Sequence, residues 1–194
     1  MTTIRMVVAL AALLVAGAVP TVPALGQAAE ETPEQVTQAF LQATRDTNWA
    51  RMAALLHPTA LAQFHSFFAP ILQCETPEAN EARRQLFGIT SAVQTARTPD
   101  SVLVAALFRS MAGRDQGFAA MLRTAQLQML GHVTEGGDTV HVVSRLTIVL
   151  DSMPVTQMEV VSLSRDGPRW RVLLKSDLST LALMLRRVCS PRGA

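Results

Sequence analysis

One carboxylate in this chain stands where a carboxylate is costly. Glu159 lies in the run TQMEVVSLSR, among apolar neighbours whose alternation reads as a β-strand. Side chains on a strand alternate faces, so Glu159 is expected on the same side as Val161 and Leu163, near Ser144 and Gln157. A buried carboxylate must be hydrogen-bonded, paired or protonated. Three arrangements follow. Glu159 lines a polar-floored cavity, or it pairs with an arginine from a helix, or the register is one residue off and it faces solvent. In the first, a raised pKa would suit it as a general base beside a carbonyl.

Four histidines offer further chemistry. His57 precedes Pro58 at a helix end, either facing a cavity or capping a helix C-terminus. His65 follows Phe64 on a helix and is expected at the surface. His132 and His141 are expected as a cross-strand pair, the beginning of a metal site, a pH-sensitive interface or plain surface. No third ligand has suitable spacing, so no metal is expected. No GxSxG, HExxH, GxGxxG or P-loop pattern occurs, so hydrolase, metalloprotease and nucleotide chemistry have no support, and no cofactor is expected. The methionines, among them Met52, Met121, Met129, Met158 and Met184, read as fillers of core gaps rather than a ligand box. Cys74 and Cys189 are the two cysteines. In an oxidising compartment an even count suggests a disulfide, and the alternative is two buried thiols.

The elements that must hold these residues fall into a helical half and a β half. Thr32-Pro33-Glu34-Gln35 is a helix start, and Asn48 restarts the helical pattern at Trp49. Pro58 stops that helix, and Thr59 is expected to cap the next, with Leu61, Phe64, Phe68 and Leu72 inward. Thr76-Pro77 and Thr98-Pro99 open two more, Gly113 is expected to end the second, and GFAAMLRTA is a weaker helical piece. From Ala125 the period becomes two. Turns at Gly136-Gly137, at 151–154 and at Asp166-Gly167 predict a four-stranded antiparallel meander over 125–175. A C-terminal helix is expected over 178–188, with Leu181, Met184, Leu185 and Val188 on one face. The fold class is therefore α+β, with helices over 32–123 packed on a curved sheet.

Two-residue turns would set Val133 opposite Val140, His132 opposite His141, Leu146 opposite Glu159, Leu150 opposite Val155 and Leu163 opposite Trp170. One face then carries Leu127, Met129, Val133, Val140, Val142, Ser144, Glu159, Val161, Leu163, Trp170 and Val172 toward the helices. The other, with His132, His141, Arg145, Ser162, Arg171 and Lys175, meets solvent or another subunit.

The amino terminus carries an address. Arg5 precedes an apolar run from Met6 to Val19, about 14 residues, and Ala24-Leu25-Gly26 supplies a cleavage site. A bilayer span needs about 20 residues, so residues 1–26 read as a secretory signal peptide and 27–194 as a single domain, periplasmic or secreted, with no membrane attachment after cleavage. The net charge is +2, and the basic residues are scattered arginines with Lys175 the one lysine. Nucleic-acid binding wants a clustered basic face and is not expected.

The stretch FLQATRDTNWARMAALLHPTAL resembles the opening helices of the nuclear transport factor 2-like superfamily, the ketosteroid isomerase and polyketide cyclase group. The ending SLSRDGPRWRVLLKSD is similar to that group's last hairpin. The resemblance covers about 20 residues at each end. It implies a strongly bent sheet wrapped around helices as a cone, dimerising through the open sheet face, with a cavity for small apolar molecules or proton-transfer chemistry. On that reading Glu159, Ser144, Trp49, His57 and Trp170 are the ligand-binding set. The chain has no tyrosine, so the tyrosine donor of the steroid isomerases has no counterpart, and 75–124 reads as helical where the group places a short strand and one helix. The functional expectation is a non-catalytic domain for hydrophobic-ligand binding or assembly. The alternatives are an isomerase- or cyclase-like enzyme using Glu159 as base, and a purely structural dimerisation domain.

Overall fold

Six of the seven helices among the described residues begin where a side chain accepts from their first N–H groups. The structure, a computed structural model, describes residues 31–150 and 152–174. The expected signal segment, Lys175, the helix at 178–188 and Cys189 lie outside them. Thr32 opens α1 (Pro33–Arg45) with a reciprocal capping box: its hydroxyl accepts from Gln35 N–H, and the Gln35 side chain accepts from Thr32 N–H. Asn48 caps α2 (Trp49–Ala54) and Thr76 caps α4 (Pro77–Phe87), which Gly88 ends in the left-handed region at φ 69°. The helical half also holds α3 (Pro58–Gln73), α5 (Ala92–Ala96), α6 (Asp100–Arg114) and α7 (Gln116–Thr124).

Three boundaries differ from expectation. The cap of α3 is His57 and not Thr59, because Pro58 takes the first helical position and leaves the residue before it extended. Gly113 does not end α6, which runs one residue further to Arg114 and stops as Asp115 turns to cap α7. The short helix α5, capped by Ser91, has too few residues to show a period.

The sheet is a meander in the order β1 (Gln126–Glu135), β2 (Thr139–Leu150), β3 (Met153–Asp166), β4 (Arg169–Val172), antiparallel throughout. With the helices N-terminal to it, the protein is mixed α+β. The core joins the helical faces, including Val36, Met52, Phe64, Phe68, Leu72, Leu103 and Val104, to Val140, Val142, Leu163 and Val172 on the sheet's inner face. Phe64, Phe68 and Phe87 cluster with centroids 4.7 to 6.4 Å apart. A short parallel bridge joins Leu56 to Val172: His57 N–H donates to the Val172 carbonyl at 2.8 Å, and Val172 N–H to the Leu55 carbonyl at 2.9 Å.

All three expected turn registers are corrected. Glu135 pairs with Thr139, so the first loop holds residues 136–138 and not two glycines alone. That extra residue shifts the ladder by one, and a bulge between Met129 and Gly131 shifts it back. Below the bulge Leu127 and Met129 face inward as expected, opposite Leu146 and Ser144. Above it the faces exchange. Val133 sits opposite His141, not Val140, and is 61% exposed on the outer face. The other two turns are displaced by two residues, which preserves the faces. Leu150 pairs with Met153 and not Val155, so Ser144 rather than Leu146 lies opposite Glu159. Asp166 pairs with Arg169 across Gly167-Pro168, so Arg165 rather than Leu163 lies opposite Trp170. Gly167 at φ 59° followed by a proline has the sign pattern of a II′ hairpin turn.

Candidate functional site

The five residues expected to line one cavity fall into three places. Ser144 and Glu159 are direct partners on β2 and β3, on the helix-facing side. Ser144 is fully buried, and its hydroxyl donates to the Glu159 backbone carbonyl at 3.3 Å, not to the carboxylate. Glu159 is half-buried. Its strand has no described neighbour on the far side there, because the last bond to that edge is Leu173 N–H to the Ser162 carbonyl. A one-residue slip that exposes Glu159 is thus not the arrangement found. Trp49 is buried in the helical core, stacked on Phe108 at 5.7 Å.

His57 and Trp170 belong to the third place, the seam between α3 and the last hairpin. His57 Nδ1 accepts from Thr59 N–H at 3.1 Å, while Nε2 donates to the Arg165 carbonyl at 3.2 Å. His57 is therefore the N-cap of α3 and not the C-terminal cap of α2. The Arg165 guanidinium lies over the Trp170 ring at 4.2 Å. This cluster locks the hairpin to the helices through groups that already have partners.

The expected His132–His141 pair does not form. The bulge at Gly131 turns His132 inward, opposite Val142, where it meets Glu34 in the first turn of α1. His141 stays outside. Its Nδ1 accepts from the Ser162 hydroxyl across the ladder at 2.9 Å, and its Nε2 donates to Glu135 at 2.7 Å. A serine–imidazole–carboxylate chain can polarise a hydroxyl. Here the carboxylate stands 74% exposed, which weakens its hold, and the chain's clear effect is to fix two polar side chains on the outer face. His65 bridges α3 to the first residue of α6, with Nδ1 2.7 Å from Asp100 Oδ1. Among the described residues no three His, Cys, Asp or Glu side chains come together as a metal site.

No protein-family model matches the chain, and neither does any curated protein or solved structure. Function must then be read from surface and hollows. Glu159 lines neither of two hollows formed by described residues. One, about 300 Å³, lies between α1 and α2 and is polar, with Gln38, Gln42, Asp46 and Arg51. The other, about 520 Å³, lies between α7 and the end of β2; Phe118, Ala120, Met121 and Val149 give it apolar walls, and Asp115 and Ser152 its rim.

The outer face of the sheet is the larger feature. Val143 lies between Gly131 and Val160, Val133 is opposite His141, and Met158 is opposite Arg145. Met158 is 58% and Val160 46% exposed. Sequence reasoning put Arg145, Ser162 and His141 on this face and Val133 on the other, and named none of Val143, Met158 and Val160. The signal was Gly131, a glycine inside a strand pattern, which marks a bulge. Among the described residues no helix is long and apolar enough to cross a membrane.

Proposed function

We propose that this protein is a binding and assembly domain that works without catalysis, and that two copies associate through the outer face of the sheet. The observation that carries the reading is the stripe Val133, Val160 and Met158, left open to solvent around a half-buried Val143 on strands whose inner faces are packed. Apolar side chains grouped on an open sheet mark an interaction surface more often than isolated ones do. The charges around the stripe are self-complementary. Glu135 stands at one end, beside Thr139, and Arg145 lies six residues along β2. A two-fold axis lying across the strands near Val143 carries Glu135 of one copy over Arg145 of the other, and the converse. Light scattering on the full chain should give a dimer at micromolar concentration. Val160→Glu with Met158→Glu places two carboxylates on the apolar stripe and should give a folded monomer. A native chain that stays monomeric at a hundred micromolar would remove the reading.

The cleft between α7 and β2 favours a second role, the holding of a small apolar molecule. Its volume of about 520 Å³ lies in the range of ligand sites. An anionic headgroup is disfavoured by Asp115 on its rim, so a neutral molecule is the better fit. Native mass spectrometry of the purified chain, with and without Met121→Arg, reads whether a ligand travels with that cleft. The isomerase-like alternative predicts instead that Glu159→Gln abolishes a proton-exchange activity without changing assembly.

A further inference from the structure

We infer that the open edge of β3 docks the same edge of a second copy, joining two sheets into one continuous antiparallel sheet. β3 runs Met153–Asp166, but β4 pairs with it only from Leu163 to Asp166. One further bond, from Leu173 N–H to the Ser162 carbonyl at 2.8 Å, closes that contact. Over 153–161 β2 lies on one side of β3, and among the described residues none pairs with the other side. Residues 153–158 are exposed on both faces of the sheet. Val155, which shares a face with Glu159, is 39% exposed.

Two hydrogen bonds fix which backbone groups reach that edge. Arg165 N–H donates to the Asp138 carbonyl at 2.9 Å, on the β2 side, while the Ser162 carbonyl points to the β4 side. Backbone groups alternate sides along a strand, and the β2–β3 ladder runs from Ser164 to Met153 without a bulge. Pro154, Thr156, Met158 and Val160 therefore turn their backbone groups to the open edge. Pro154 suits that position, because its missing N–H falls on the side away from β2. Proteins blunt long edges with lysines, prolines or bulges. Over 153–161 this edge has one proline, one carboxylate and no lysine. Thr156, Met158 and Val160 leave a row of N–H and carbonyl groups for a partner strand.

The register favours a second copy as that partner. The open stretch is bounded by the turn before Met153 and by the contact at Ser162. An antiparallel strand of equal length fills it when a two-fold axis passes through Gln157. Thr156 then exchanges both ladder bonds with the partner's Met158, and Val160 N–H donates to the partner's Pro154 carbonyl. The two Gln157 amides meet on the axis, and a carboxamide is its own complement. Glu159 is the one ionisable side chain of the stretch, and it falls opposite Val155. Moving the axis to Glu159 would set two carboxylates against each other and drive the partner into β4. Because Val155 and Gln157 are exposed, the described helices stop short of the axis and leave room for the partner's.

The edge contact goes beyond the face-to-face dimer and does not need it. Face contact covers the side chains of Val133, Met158 and Val160 and leaves the edge N–H groups pointing along the sheet. Edge pairing instead carries the outer apolar stripe across the seam, since the axis stands perpendicular to the sheet and keeps both outer faces on one side. A chain that uses both contacts forms a pair of dimers with crossed two-fold axes.

The test is amide hydrogen exchange on the full chain, read residue by residue by NMR at ten micromolar and at one millimolar. The N–H groups of Thr156, Met158 and Val160 should exchange about fivefold more slowly at the higher concentration. Fast exchange at both concentrations would overturn the inference and leave the edge to a different polypeptide. Slow exchange at both would overturn it in favour of a strand of the same chain. Gln157→Lys sets two ammonium groups on the axis and should abolish the concentration dependence, as should Gln157→Glu. An equimolar mixture of the two variants should restore it, because opposite charges then face each other. A mixture that stays unprotected would overturn the pairing. Gln157 is exposed and lies off the outer face, so these changes spare both the core and the face contact. Failure of the face-to-face dimer leaves this readout unmoved.

Discussion

At the scale of the residue, the most constrained side chain is one that no motif announces. Arg83 is fully buried, 0% exposed, at the junction of α3 and α4. One of its terminal nitrogens donates to the carbonyls of Ile71, Leu72 and Cys74 at 2.9 to 3.0 Å, which closes the unsatisfied C-terminus of α3. The other meets Asn80 and, at 3.5 Å, Glu75, whose carboxylate also accepts from Ala92 N–H at 2.9 Å. A cation belongs at a helix C-terminus, and the planar guanidinium can serve several carbonyls at once. Arg83→Ala leaves those carbonyls buried and unpaired, and should cost about 3–5 kcal/mol in chemical denaturation. Arg83→Lys should recover little, because an ammonium cannot reproduce the fork. Glu34 is one residue that makes stability depend on pH. Burial raises its pKa, but its own backbone N–H, the His132 imidazole and the Thr32 hydroxyl together hold it below 4.5. A carboxyl whose folded pKa is depressed stabilises the fold above the unfolded value. That contribution is lost as pH falls from 4.5 through the lower folded value. Stability measured against pH should fall across that acid window, and Glu34→Gln should flatten the fall.

At the scale of the element, the decisive feature is the bulge in β1. It reconciles a three-residue loop at one end of the hairpin with an inward Leu127 and Met129 at the other. It also decides that His132 meets α1 while Val133 meets solvent. Gly131 sits at φ 147°, a backbone conformation that side-chain-bearing residues rarely adopt, although the space around it is open. Gly131→Val should therefore destabilise through backbone strain alone, by about 1–3 kcal/mol in thermal unfolding. A control at Gly137, which has no positive φ and open space, should change little. The helices were more legible than the sheet for a physical reason. A cap acts within four residues, so Thr32, Asn48 and Thr76 can be read from local types. A strand register depends on loop length and bulges, and glycine-rich turns admit more than one length. Two of the register expectations missed by two residues and kept their faces, so Glu159 remained on the helix side. The third missed by one above the bulge, and that single residue moved Val133 and His132 to opposite sides.

At the scale of the whole molecule, the question is which surfaces are finished. The inner face of the sheet is packed against the helices at Val140, Val142, Leu163 and Val172, while the outer face keeps Val133, Met158 and Val160 in water. Burying such side chains is worth about 1.5–3 kcal/mol each, so a second copy has a reason to dock there, and glutamates at 158 and 160 remove it. The candidate cavity was less legible than the fold. Glu159 and Ser144 were placed together correctly in the sheet, but Trp49 is a core stack and His57 a helix cap. Their residue types are compatible with both roles, and only the surrounding packing chooses. What the chain determined by itself is the order of its elements, the starts of most helices and the α+β class. These follow from caps, prolines and hydrophobic period, which act over a few residues. Only the tertiary structure decided that Arg83 closes α3, that His132 and His141 part company, and that an apolar stripe faces outward. Those outcomes depend on groups far apart in the chain meeting in space, and on one extra residue in a strand whose side chains alternate.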